Sequence, residues 1–294
     1  MKSTGYNSDK NLILFFVITL LWTWIAGFIP VIFGLTGTTL GTVIFYSGGG
    51  APSIVGVIFV FTTYPKVARR EYFSRCLNIK RMGLKWPVWT ILYFSAIAAI
   101  AVFISVVALH MQMPKMVWLK MIVAQPYLLP VLLFFSLISG PFNEEFGWRG
   151  YALDRLLVRF GFFRASLLLG IIWAAWHLPW FFTPSQAQYQ ILQSSMWQAC
   201  IYVIFNTLLA IVVSYVYLNT NRSVLAGAFV HMMSNFLTSQ LLTPYSSGVR
   251  TAMFSVTILF ATGTLLFALH SNKFKNATDC VINNIIFEFE KYSV

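Results

Sequence analysis

The chain has 294 residues, of which 58% are hydrophobic and only 10% charged. A soluble domain needs about 25% charged residues to solvate its surface, so lipid rather than water must cover most of this one. The formal net charge of +12 does not mark a nucleic-acid binder, because the basic residues fall in short loops between apolar runs, where they set topology and meet anionic lipid headgroups.

The first apolar run follows Lys10 and reaches about Leu35. It exceeds the h-region of a signal peptide and lacks an obvious small-residue cleavage pattern, so a retained first span is expected. Seven further runs are long enough to cross the hydrocarbon core, given about 20 residues per span. The spans are expected at 11–33, 41–63, 87–109, 126–150, 165–183, 197–219, 223–242 and 252–270. The fourth is the least regular: Gly140-Pro141 should kink it before it continues through Asn143-Glu144-Glu145, since proline removes a backbone donor.

The expected fold class is thus all-α: one polytopic transmembrane helix bundle over residues 1–294 of about eight spans, both termini cytoplasmic, with a catalytic core at 128–240 and a cytoplasmic tail at 271–294. The basic loop 64–86 carries Lys66, Arg69, Arg70, Arg75, Lys80, Arg81 and Lys85 against one acidic residue, Glu71. With that loop in the cytoplasm, only Lys115, Lys120 and Arg250 of the 20 Lys and Arg lie on the far side, as the positive-inside rule requires. Cys76, Cys200 and Cys280 are odd in number and lack CxxC spacing, which argues against a disulfide framework or a cysteine metal site.

Only 8 residues are acidic, and Glu144 and Glu145 are neighbours. A charge at the bilayer centre costs about 2.5–3.5 kcal/mol on insertion scales. Glu145 and Arg149 are four apart on one helical face and can pair; Glu144 lies about 100° round the helix and is left available. Taken alone, the pair also fits a juxtamembrane ion cluster with Asp154 and Arg155. Two histidines add to it. His177 lies in Trp173-Ala174-Ala175-Trp176-His177-Leu178-Pro179-Trp180, inside the fifth run, and His231 lies in the seventh, four residues before Asn235. Counted at 1.5 Å per residue from the cytoplasmic span ends, Glu144 sits about 9 Å deep, His231 about 12 Å and His177 about 18 Å. Those depths suit one cavity opening toward the cytoplasm. His110 and His270, at span ends, read as ordinary packed residues.

Three motifs in order, Glu144-Glu145-x-x-x-Arg149, Trp173-x-x-x-His177 and His231-x-x-x-Asn235, resemble those of the CAAX protease and bacteriocin-processing (Abi) family of intramembrane endopeptidases, which includes the Ras-converting type II CAAX prenyl endopeptidases. The Trp-His-Leu-Pro surroundings agree, as does the approach Tyr217-Leu218 to Arg222-Ser223-Val224-Leu225-Ala226. The resemblance is firm over about 128–240, and Trp173 departs from the Phe of many members. It implies that Glu144 and His177 activate the attacking water, that His231 and Asn235 stabilise the oxyanion, and that Glu145 and Arg149 orient the site. No cofactor is expected. Zinc held by Glu144, His177 and His231 stays open, with a fourth position for water, although the HExxH signature is absent.

The expected partners are a membrane-embedded or lipidated peptide or protein substrate and anionic lipid, with no nucleic acid. CAAX-type processing, bacteriocin maturation and self-immunity all fit. Two other readings stand beside the protease: a non-catalytic peptide-binding or immunity protein, and a small proton-coupled transporter. For the latter, the repeated halves common in transporters are missing. A compact chain without targeting features suggests a bacterial plasma membrane.

Overall fold

The computed structural model describes residues 9–292. They are helical almost throughout, and no strand occurs among the described residues. The chain opens with α1 (Asp9–Ile32), which carries Pro30 near its end. Next come α2 (Thr39–Gly49) and α3 (Ala51–Thr63), bent by 50° at Gly50; Pro52 within the first turn of α3 explains the break. The basic loop then folds as α4 (Lys66–Leu77), followed by α5 (Lys85–Phe103) with a π turn at its end.

A short α6 (Val117–Ala124) and α7 (Leu128–Ile138) lead to the break expected at Gly140-Pro141. Beyond it lie α8 (Pro141–Gly147), a π segment (Trp148–Leu153) and α9 (Asp154–Trp176). The chain is completed by α10 (Ala187–Ser194), α11 (Met196–Asn219), α12 (Val224–Asn235) with a π segment over Phe236–Gln240, α13 (Ser247–His270) and α14 (Asn272–Lys291).

Among the described residues, five helical stretches are long and apolar enough to cross a membrane, or six if the bent α2–α3 pair is one span. The expected fourth and fifth runs form one continuous kinked stretch, Leu128–Phe182, because α8, the π segment and α9 follow one another without a loop. In place of a loop, the helical path breaks at Gly161, whose φ of 68° is open to glycine without steric cost. The seventh run is shorter than expected, α12 plus its π segment. The tail at 271–294 folds as α14, which buries Phe274, Thr278, Ile285 and Phe289 and packs against α9 and α13.

Apolar side chains such as Ile13, Leu92, Phe134, Val203 and Leu259 face outward, as a lipid-covered surface requires. The core lies around α9, α11 and α12, where Trp148, Trp173, Trp176 and Tyr217 are fully buried. Two glycines bring α3 against α8. A Cβ on Gly147 would sit 2.0 Å from the Pro52 carbonyl oxygen, and one on Gly56 would sit 2.9 Å from the Gly147 Cα. Nothing larger fits, so these positions fix how far α8, with its two glutamates, is pressed into the bundle.

Candidate active site

Helix α8 is placed by its sequence before any site chemistry is considered. Pro141 occupies the first helical turn, where a missing N–H costs nothing. The carbonyl freed at the end of α7 is recovered when the Asn143 side-chain amide donates to the Ile138 carbonyl at 2.9 Å. A π segment then shifts the register of the following backbone, and side chains of α3, α4 and the start of α9 donate to carbonyls of α8 and of the π segment. Ser53 donates to Phe142 O at 2.8 Å and Tyr72 to Phe146 O at 2.9 Å. Arg75 donates to Gly150 O at 3.2 Å and Arg155 to Tyr151 O at 2.8 Å. A polypeptide cannot leave such groups unpaired away from water, so α3 and α4 supply the support for the irregular turn.

Glu144, Glu145 and Arg149 are all buried there. The expected i,i+4 pair forms: Arg149 donates to Glu145 Oε1 at 3.0 Å, with neither side chain exposed. The same oxygen lies 3.0 Å from His231 Nδ1. Glu145 therefore joins α8 to α12, while its Oε2 is buried with no hydrogen-bond partner. A Cβ on Gly227, one turn before His231, would press on Val213 Cγ1 of α11 at 3.2 Å and lie 3.8 Å from that oxygen, so the glycine eases the packing of α12 on α11 beside the pair.

Glu144 is engaged differently. Its Oε2 accepts the indole N–H of Trp173 at 2.6 Å. The Trp173 carbonyl in turn takes His177 Nδ1 at 2.9 Å. A carbonyl only accepts, so Nδ1 carries the proton, which leaves Nε2 as an acceptor when the ring is neutral. The Trp173 ring also meets His231 edge-on at 4.9 Å between centroids and has the Arg149 guanidinium 5.0 Å from its centre. Trp173 thus touches all the predicted groups except Glu145 and Asn235. The sequence motif identified it only as an aromatic, whereas the structure makes it the hub of the site.

His177 is not in mid-helix. It caps α9, which ends at Trp176 and passes through Pro179 into a 3-10 turn; proline just past the cap prevents continuation. Two further tryptophans fasten this end to α1. Trp176 donates to Thr23 Oγ1 at 2.7 Å, and Trp24 donates to the Ala175 carbonyl at 3.1 Å. The Asn206 amide lies 3.5 Å from His177 Nδ1 and is buried. Asn206 gave no signal in the sequence, because a lone asparagine in an apolar run has no motif around it. Asn235 ends α12 half-buried, one turn beyond His231, and hydrogen-bonds to none of the other site residues. His110 and His270 are exposed and lie apart from the cluster.

A membrane-type helix bundle that buries two carboxylates, two histidines and an arginine against one tryptophan is built for chemistry away from bulk water. Residues 125–237, which hold every one of these groups, match the model of the family described as type II CAAX prenyl endopeptidase Rce1-like. The chain is also 26% identical over 235 residues to CAAX prenyl protease 2 of Methanococcus maripaludis, covering 80% of this chain and 85% of that protein. Over the residues that carry the site the chain is thus similar to the type II CAAX prenyl endopeptidases, and over most of its length to a CAAX prenyl protease.

Proposed function

We propose that the protein hydrolyses a peptide bond in a membrane-associated peptide or protein, with water activated by Glu144 and His177. The observation that carries this is the pairing of both groups through one residue, the Trp173 indole N–H on Glu144 and the Trp173 carbonyl on His177. Water loses a proton to this pair as its oxygen attacks the scissile carbonyl carbon. The proton passes to the leaving nitrogen as the C–N bond breaks. His231 Nε2 and the Asn235 amide donate to the oxyanion, an effect worth about 3–4 kcal/mol per donor in a water-poor site. For His231 to donate from Nε2 while Nδ1 faces Glu145, the ring must hold both protons. The buried Glu145 carboxylate is the counter-charge for that form, and Arg149 keeps the carboxylate oriented.

The proposed mechanism uses no resident metal; a zinc version would draw on Glu144, His177 and His231, with water in the fourth position. Stoichiometric zinc in purified active protein, with activity lost to chelation and restored by zinc, would overturn this assignment.

Eight spans with both termini in the cytoplasm remain the proposed topology, in a single domain whose core is 128–240, and a bacterial plasma membrane the proposed location. Contacts between the segments assigned to one side support it. Arg75 of the basic loop, Asp154, Arg222 and Glu288 of the tail helix all meet, and Arg159 pairs with Asp9. On the opposite side, Lys115 N–H donates to the Pro244 carbonyl. The site then opens toward the cytoplasm, and anionic lipid meets the basic loop. The archaeal relative's name, CAAX prenyl protease, favours a prenylated C-terminal peptide over a bacteriocin precursor. The test compares wild type with Glu144→Ala in liposomes on prenylated and unprenylated peptides. Cleavage by wild type alone, faster on the prenylated peptide, is expected. Full activity of both Glu144→Ala and His231→Ala at normal protein levels would leave a binding or immunity protein instead.

A further inference from the structure

Outside the cluster around Trp173, one group of charged side chains is almost as deeply buried and has no part in the hydrolysis just described. Asp154 opens α9 directly after the π segment that bears Arg149. Its Oδ2 accepts Arg75 of α4 at 2.7 Å and Arg222 at 2.6 Å, and its Oδ1 accepts the Tyr217 hydroxyl at 2.7 Å. Arg75 also reaches Tyr217 Oη at 2.6 Å. Arg222 closes the series on Glu288 of α14 at 2.9 Å. The two guanidinium charges are balanced by the two carboxylates. Burial works against the charge on Arg222, but the Asp154 carboxylate overrides it and raises its pKa above the ordinary arginine value.

The backbone around Arg222 gives this network a reason. Asn221 and Arg222 both adopt left-handed conformations, with φ of 51° and 60°, a sparsely populated region for such residues. That turn aims α12, which starts at Val224 with Ser223 capping it, and so it sets where His231 arrives. Asp154 sets where the π segment ends. One carboxylate therefore holds both halves of the site: the α8 half, with Glu144, Glu145 and Arg149, and the α12 half, with His231 and Asn235.

We propose that Asp154, with Arg75, Tyr217 and Arg222, is a positioning device that fixes α12 against α8, and that the Arg222–Glu288 contact makes the C-terminal helix its outer latch. The proposal rests on the peptidase assignment for its kinetic consequences but not for its structural ones. Breaking a buried ion pair from one side is strongly destabilising, so Asp154→Asn alone is a poor probe. Glu288, whose side chain is 27% exposed, lies at the rim and tolerates change.

The experiment uses the full chain in liposomes, with Glu288→Gln, Glu288→Asp, wild type and Glu144→Ala compared on one lipidated peptide. Glu288→Gln should lower kcat about two- to thirtyfold, the span of coupling through such a network. KM and melting temperature should stay within error, and Glu288→Asp should restore most of the rate. Amide exchange should quicken over 148–153 and 224–231 in Glu288→Gln, since local opening reports lost tethering. Wild-type kcat in Glu288→Gln, or a loss that follows melting temperature, overturns the proposal. Unchanged exchange in both segments overturns it as well. If wild type and Glu144→Ala are equally inert, the peptidase assignment has failed instead, and exchange alone decides the latch.

Discussion

Glu144 and Glu145 are adjacent in the chain, equally acidic and both buried, yet they face opposite surroundings. Glu145 is tied to Arg149 and His231 through one oxygen, and its neighbours carry or accept positive charge. Glu144 has a single uncharged donor, the Trp173 indole. A step of about 100° round a helix is enough to tie one carboxylate to an arginine and a histidine and to leave the other with one neutral donor. A carboxylate needed as a base has to keep a lone pair uncommitted, whereas one needed as a strut does not.

Substitutions separate the two roles. Glu144→Ala should lower kcat by about a hundred- to ten-thousandfold, the span for general bases, while the melting temperature stays close to wild type. Glu145→Ala should also reduce activity but with a different signature. Arg149 would be left buried and unpaired, at a cost of about 3–5 kcal/mol, so a thermal melt in detergent should show a large drop. If Glu145→Ala melts like wild type, the strut assignment fails. Asn235→Ala tests the oxyanion side: removing one donor typically costs about a hundred- to thousandfold in kcat, with little change in KM. Trp173→Phe keeps most of the packing and deletes only the indole donor. A hydrogen bond to a charged group is worth about 1.5–3 kcal/mol, which sets roughly a tenfold fall in kcat as the minimum; wild-type turnover would remove Trp173 from its place as hub. Ser53→Ala leaves the Phe142 carbonyl without its donor and should cost only about 1 kcal/mol, visible as a small shift in the melt.

Much of this was legible along the chain. The break at Gly140-Pro141 follows from proline's missing donor, and the Glu145–Arg149 pair from helical spacing. Other features had no local signature. Trp173 is one tryptophan among 10, and nothing in its spacing says which atom its N–H will meet. Asn206 approaches His177 from another helix. Asp154 and Arg155 suggested a juxtamembrane ion cluster at a helix start, but both are buried, because Arg75 and Arg222 reach Asp154 from 79 and 68 residues away and Tyr64 reaches Arg155 from 91.

The sequence by itself determined the solvent, the helical class and which polar residues share a helix face, because transfer free energy and a 3.6-residue repeat are properties of neighbouring residues. Only the tertiary structure decided which faces meet. It turned Glu145 toward His231 and Glu144 toward Trp173, let Gly56 and Gly147 set the depth of α8, and drew four distant charged residues onto one another. Those outcomes depend on close packing between segments far apart in the chain, where a buried charge is stable only if a partner from elsewhere completes it.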